Sequence, residues 1–215
     1  MKIVAVNGGP RRGKNTDQML GAFLEGVKRA DPDAGIETIR LYDYTYTGCN
    51  SCFACQLKDR RDELGCQVRD GIAEQLRTVR QADGIVFASP IYYMNVSGQL
   101  RSFWERLFYP GPSDRKVPTA VIYTMNAPEN VYNSMMKSVL DINGWYLEQC
   151  FHEKPEVVTS CDTYQYNDNE DYVEGFRAPA KAKWAHHERQ FAADLSASRT
   201  AGEHMVRKIV GFCEE

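Results

Sequence analysis

The sequence lacks the features that would assign it at sight. None of its 215 residues falls in an apolar run long enough for a transmembrane helix, and the N-terminal run of MKIVAVNGG stops at Asn7 without the longer stretch and small-residue cleavage site of a secretion signal. A net charge of −3 argues against a general electrostatic hold on nucleic acid or an anionic membrane. These absences predict a cytoplasmic chain with neither of those partners. There is no GxGxxG dinucleotide fingerprint, no Ser-His-Asp or paired-glutamate constellation, no internal repeat and no low-complexity linker. A single domain over residues 1–215 is therefore expected. Of the four histidines, His186 and His187 fall on a polar helical stretch and read as surface residues.

What is present is an alternation of buried strands and helical stripes. Lys2 to Val6 is short, apolar and β-branched, as in a strand covered on both faces. Met19, Leu20, Phe23, Leu24 and Val27 follow at helical spacing, and Ile36 to Leu41 makes a second strand. Asp70 is placed to cap a helix carrying Ile72, Leu76 and Val79, which leads into the strand GIVFASP. Val96, Leu100, Phe103, Trp104 and Leu107 form the next stripe, and PTAVIYT, from Pro118 to Thr124, the fourth strand. A helix with Met135, Met136, Val139 and Leu140, a strand near Glu156 to Thr159 and a helical extension near 178–215 complete the chain. Strands separated by helices imply parallel pairing through right-handed crossovers. The expected fold is α/β, a flavodoxin-like doubly wound sheet of five strands in the order 2-1-3-4-5 with helices on both faces.

In that order the loops after the first and third strands face one crevice. The first, GGPRRGKNT, has Gly8, Gly9 and Gly13 to turn the backbone and point N–H groups at an anion, with Arg11, Arg12 and Lys14 adding charge and a helix N-terminus close by. It misses a Walker A loop by one residue, since Asn15 stands where Ser or Thr would reach magnesium, and the third strand ends in Ala88 and Ser89 rather than an acid. That leaves a monophosphate site, with Gly9, Pro10, Arg11, Lys14, Asn15 and Thr16 as its residues. The second loop brings Ser89, Pro90, Ile91, Tyr92, Tyr93, Met94 and Asn95 to the same crevice as an apolar wall with polar donors. FMN is the candidate ligand.

Through these two loops the sequence resembles the NADPH-dependent FMN reductases among flavodoxin-like proteins, and within them the iron-sulfur flavoproteins. GGPRRGKNT resembles the family's GSPRxxxNT loop, with Gly9 in place of the usual Ser. ADGIVFASPIYYMNVSGQLRSFWER resembles its flavin-ring loop and following helix, and the cysteine stretch lies between the two. The resemblance covers roughly the first 125 residues. It implies a third flavin contact from Thr124, Met125 and Asn126, NAD(P)H as co-substrate, and a homodimer or homotetramer.

Four cysteines crowd TGCNSCFACQLKDRRDELGC, an insertion near 45–69: Cys49, Cys52, Cys55 and, after ten further residues, Cys66. CxxCxxC lets three thiolates in a tight turn reach one 4Fe-4S cluster, with a fourth from elsewhere. The readings left open are a cluster, a cluster-free thiol group and structural zinc. In the subgroup resembled, the fourth cysteine follows after a shorter gap. Cys150, Cys161 and Cys213 read as buried packing. The acidic, aromatic stretch from Cys161 to Phe176 reads as a lid, a partner contact or a partly ordered excursion. Two functions compete: hydride transfer from NAD(P)H through FMN to a quinone, flavin or other small acceptor, or electron relay between a ferredoxin-like partner and FMN.

Overall fold

The computed structural model describes residues 1–57, 65–165 and 180–214. The acidic residues Asp168 to Glu174 and the side chain of Cys213 lie outside the described residues.

Five parallel strands form the sheet: β1 (Lys2–Asn7), β2 (Gly35–Arg40), β3 (Gly84–Tyr92), β5 (Thr119–Thr124) and β6 (Glu156–Ser160), in the order β2-β1-β3-β5-β6. Counting parallel strands alone, this is the expected 2-1-3-4-5. A two-residue strand, β4 (Asn95–Val96), turns back antiparallel on the end of β3. The sequence gives no warning of it, because so short a hairpin carries no periodicity and the turn residues Tyr93 and Met94 are not turn formers. Val96, read as part of a helical stripe, belongs to this strand instead. Ser97 then caps α3 (Gly98–Phe108), its hydroxyl accepting from the Leu100 N–H at 3.3 Å.

Alternate side chains of each strand feed two cores. Val4, Val6, Ile85, Phe87 and Val121 pack under α2 (Ala73–Arg80), α3 and α5 (Lys137–Phe151). Ile3, Ala5, Val86, Ala88 and Ile122 pack under α1 (Asn15–Ala30) and α6 (Ala180–Glu214). Helices α1 and α6 touch backbone to backbone at two glycines: a Cβ on Gly202 would run into the carbonyl oxygen of Phe23, and one on Gly26 into that of Arg199. Buried Ser198 donates across the same contact to the Met19 carbonyl at 2.7 Å.

One helical face differs from the expected stripe. A short turn, α4 (Glu129–Val131), runs through a wide π turn at Tyr132–Met136 before α5, and the extra residue per turn rotates the chain. Met135 is left exposed, and the buried face of α5 is Leu140, Asn143, Leu147, Cys150 and Phe151. Among the described residues no helix is long and apolar enough to cross a membrane.

Candidate functional site

The loop between β1 and α1 is shaped by an aspartate in the helix's first turn. One Asp17 oxygen accepts from Asn7 Nδ2 at 2.6 Å and Arg40 Nη1 at 2.7 Å, while the other accepts the Gly13 N–H at 2.6 Å. Gly13 has φ +69°, in the left-handed region where glycine is unstrained. The Gly9 N–H donates to Asn7 Oδ1 at 2.7 Å and the Gly8 N–H to the Ala88 carbonyl at 2.8 Å. The glycine N–H groups expected to face an anion are thus used to build the loop. The first intrahelical bond of α1 runs from Gln18 to Lys14, so the N–H groups of Asn15, Thr16 and Asp17 precede it and remain at the positive end of the helix dipole. The Asn15 amide donates to the Tyr164 carbonyl at 2.8 Å, and the hydroxyls of Thr16 and Thr124 share a buried bond of 2.8 Å.

This helix end opens on a cleft at the carboxyl edge of the sheet, where the strand order reverses. Gly9, Pro10, Arg11, Lys14, Asn15 and Thr16 line one end; Pro90, Ile91 and Tyr92 form one wall, and Thr124, Met125 and Asn126 the other. Two residues that sequence reasoning passed over, Thr163 and Gln165, complete the lining, and Arg11 Nη1 donates to the Gln165 carbonyl at 2.6 Å. They come from the polar stretch after β6, where only the strand ending at Ser160 marked them as neighbours of the switch point.

Four other candidates stand off the lining. Ser89 is fully buried, donating to the Pro90 carbonyl at 2.8 Å and accepting the Ser97 N–H at 2.9 Å, which ties β3 to the start of α3. Asn95 Oδ1 accepts from its own neighbour, Val96 N–H, and from Asn143 Nδ2 at 2.9 Å. Tyr93 and Met94 occupy the hairpin turn with φ +47° and +73°, and Tyr93 is wholly exposed. Two non-glycine residues at positive φ in a two-residue turn are strained, a condition that concentrates at functional loops. Burial pushes the Tyr92 phenol up, keeping it a neutral hydrogen-bond donor at the rim.

Asn126 contributes an unusual group. Its Oδ1 is buried without a partner, while its backbone carbonyl accepts from Lys183 Nζ at 2.8 Å. Lys183 also pairs with Asp162 at 2.7 Å, so α6 holds the loop after β5 in place. A buried acceptor left open is costly unless a ligand donor meets it. The helix N-terminus at one end and the apolar wall of Pro90, Ile91 and Tyr92 suit a ligand with an anionic end and a flat ring, and FMN has both.

The four clustered cysteines line a second, mainly apolar pocket together with Phe53, Tyr109 and Arg106. Among the described residues of their segment the regular structure is a turn at Ala54–Gln56, and Ser51 and Phe53 take φ +55° and +57° to make tight bends. Cys55 is buried and Cys52 exposed. Burial pushes the Cys55 thiol up, with Cys66 next as a cause. The donor set suits a thiolate-bound centre and the pocket gathers it. Among the described residues, however, no three Cys, His, Asp or Glu side chains are drawn in to bonding distance of one metal. Cys150 and Cys161 stand apart, their thiols pushed up by burial to about 11.

Comparison with known proteins adds three findings. The sequence pattern of the NADPH-dependent FMN reductase family matches residues 1–152. An iron-sulfur flavoprotein of Methanosarcina thermophila is 33% identical over 106 residues, 49% of this chain and 52% of that protein, and one of Clostridioides difficile is 29% identical over 154 residues, 67% and 64%. The chain thus spans about half the length of the archaeal relatives it matches. Among solved structures, an NAD(P)H:quinone oxidoreductase from Methanothermobacter marburgensis superposes with TM-score 0.64 at 15% identity, covering 95% of this chain and 96% of its own. An FMN-dependent NADH-azoreductase from Bacillus anthracis in complex with FMN gives 0.59 at 14%, covering 92% and 100%. At such identity these two speak for the fold.

Proposed function

The chain belongs to the NADPH-dependent FMN reductase family, and from that premise we propose that it is an FMN-dependent oxidoreductase that takes hydride from NAD(P)H and reduces a quinone, a flavin or another small acceptor. The observation that carries this reading is the cleft at the switch point, with the N-terminus of α1 and Arg11 at one end and the apolar Pro90, Ile91 and Tyr92 along one wall. When bound, FMN supplies the hydride-accepting ring, and the net reaction moves two electrons and a proton from NAD(P)H, with a second proton from solvent, to the acceptor.

The protein's part is to bind and orient. The first turn of α1 and Arg11 neutralise the phosphate. Pro90, Ile91 and Tyr92 give the ring an apolar wall that excludes water from one side. Asn126 accepts a hydrogen bond from the ring edge, held in position by Lys183. Exposed Ile142, Trp145 and Met135 on and before α5 support assembly into a homodimer or homotetramer. The acceptor reaches the open side of the cleft.

A second reading gives the cysteine pocket a 4Fe-4S cluster and makes the chain an electron relay between FMN and a ferredoxin-like partner. It is favoured by four thiols on one pocket and by the names of the relatives. Protein purified without oxygen separates the two. A flavin spectrum after FMN addition with fast, quinone-dependent NAD(P)H oxidation is the expected result for the reductase. About four irons per chain with slow turnover moves the assignment to the relay, and failure to bind FMN overturns both.

A further inference from the structure

Ten residues separate Cys55 from Cys66, yet the last thiol returns to the pocket of the other three. A charged side chain inside the core accounts for the return. Arg106 lies on α3 beside the apolar stripe and is only 2% exposed. Its Nη1 donates to Asp70 Oδ2 at 2.6 Å and to the Thr47 carbonyl at 3.3 Å; its Nη2 donates to Asp70 Oδ1 at 3.0 Å and to the Val68 carbonyl at 3.1 Å. Thr47 stands two residues before the first of the four cysteines and Val68 two residues after the last. One planar guanidinium therefore joins the two stems of the segment. Its remaining donor, the Nε–H, is buried with no partner, and Arg106 lines the same pocket as Cys66.

We propose that Arg106 is the positioning residue of the thiol pocket: it clamps the two stems so that Cys66 faces Cys49, Cys52 and Cys55, and it offers a hydrogen-bond donor to the Cys66 sulfur when the thiols act as one ligand set. The inference rests on the reading that these four cysteines bind a common centre. A purely structural role accounts for less. A buried ion pair adds little stability over apolar side chains of the same size, and the stripe of α3 already has Phe103, Trp104 and Leu107 to fill the core. What an apolar residue cannot do is bridge two carbonyls and a carboxylate in one plane, and lysine lacks the fork. Donors around metal-bound sulfur orient the ligand and lower the energy of its lone pair.

The test uses Co²⁺ as the probe on the full chain, reduced and free of oxygen, reading thiolate-to-cobalt charge-transfer absorption. FMN binding is measured in parallel as a report on the fold away from the pocket. Wild type is expected to take up Co²⁺ with this absorption. Arg106→Met is expected to bind Co²⁺ at least about tenfold more weakly, with the band moved to longer wavelength because the sulfur has lost its hydrogen bond, and with FMN affinity unchanged. Arg106→Lys should recover part of the affinity without restoring the band. Should Arg106→Met also lose FMN, and so its fold, Arg106→Lys decides by the same two readouts. Variants that match wild type in affinity and band overturn the proposal alone. A wild type without the charge-transfer band overturns both the proposal and the common-centre reading, leaving the FMN cleft untouched.

Discussion

The cleft at the sheet edge and the cysteine pocket are built by different means. The cleft comes from regular structure: parallel strands end level at the switch point, α1 starts beside them, and backbone bonds such as Met125 N–H to the Ser160 carbonyl at 2.9 Å hold the loops. The pocket comes from a segment whose described residues hold one short turn, kept in place by a side chain from another element. Regular structure places a site through many weak, redundant bonds. An irregular segment concentrates the same task in a few residues, so single substitutions should act locally at the pocket and through the whole fold at the foundations of the cleft.

The largest effect that would break this contrast is on the cleft side. Gly202→Ala puts a methyl group against the Phe23 carbonyl, with backbone on both sides and no side chain able to yield. The expected loss is about 3 kcal/mol, seen as a fall of roughly 10 °C in the thermal midpoint. Because α6 seats α1, pocket and cleft should be lost together in one transition. Separate transitions in calorimetry would mean that the two regions do not share a core.

Asn126→Ala sharpens the contrast at intermediate size. Loss of the buried acceptor should weaken FMN about tenfold, roughly 1.4 kcal/mol, in a flavin-fluorescence titration. The Co²⁺ spectrum of the cysteine pocket should not change. Unaltered FMN affinity would remove Asn126 from the ring contact.

The smallest effect is expected at the hairpin. Met94 at φ +73° bears left-handed strain that glycine does not. Met94→Gly should raise stability by about 0.5 kcal/mol, a net gain after the extra entropy glycine loses on folding, measured by urea unfolding. A loss would show that the Met94 side chain contributes more by packing than its backbone costs.

Much of the cleft was legible because its determinants are periodic or adjacent. Buried-strand runs and helical stripes gave the strand order, and the order told which loops meet. Less legible were groups whose partners lie far along the chain or whose local signal is ambiguous. Asp17 reads as an ordinary acid in a first helical turn, and nothing nearby says that it takes up the Gly13 N–H. Asp70 reads as a helix cap, but α2 starts at Ala73 with Ile72 at the cap position; the Asp70 carboxylate accepts only weakly from the Ile72 N–H at 3.4 Å, and its stronger bonds go to Arg106, 36 residues away. Arg106 itself looks like one more charge on an amphipathic helix. Of the Met135 to Leu140 stripe, Met135 fell outside the core because a π turn shifts register without a sequence mark, whereas Leu140 is buried and Met136 packs against the same core.

The Arg106 clamp also bears on how such a segment can change over time. Because its two stems are tied together beneath the pocket, the stretch from Gln56 to Gly65 is relieved of setting where Cys66 falls. Doubling the length of a closed loop costs only about 0.6 kcal/mol. Insertions and deletions between Cys55 and Cys66 are then nearly neutral edits, whereas loss of one arginine outside the segment is not. On this proposal the spacing between the third and fourth cysteines would matter less to the pocket than an arginine on α3 paired with an aspartate just beyond the last cysteine.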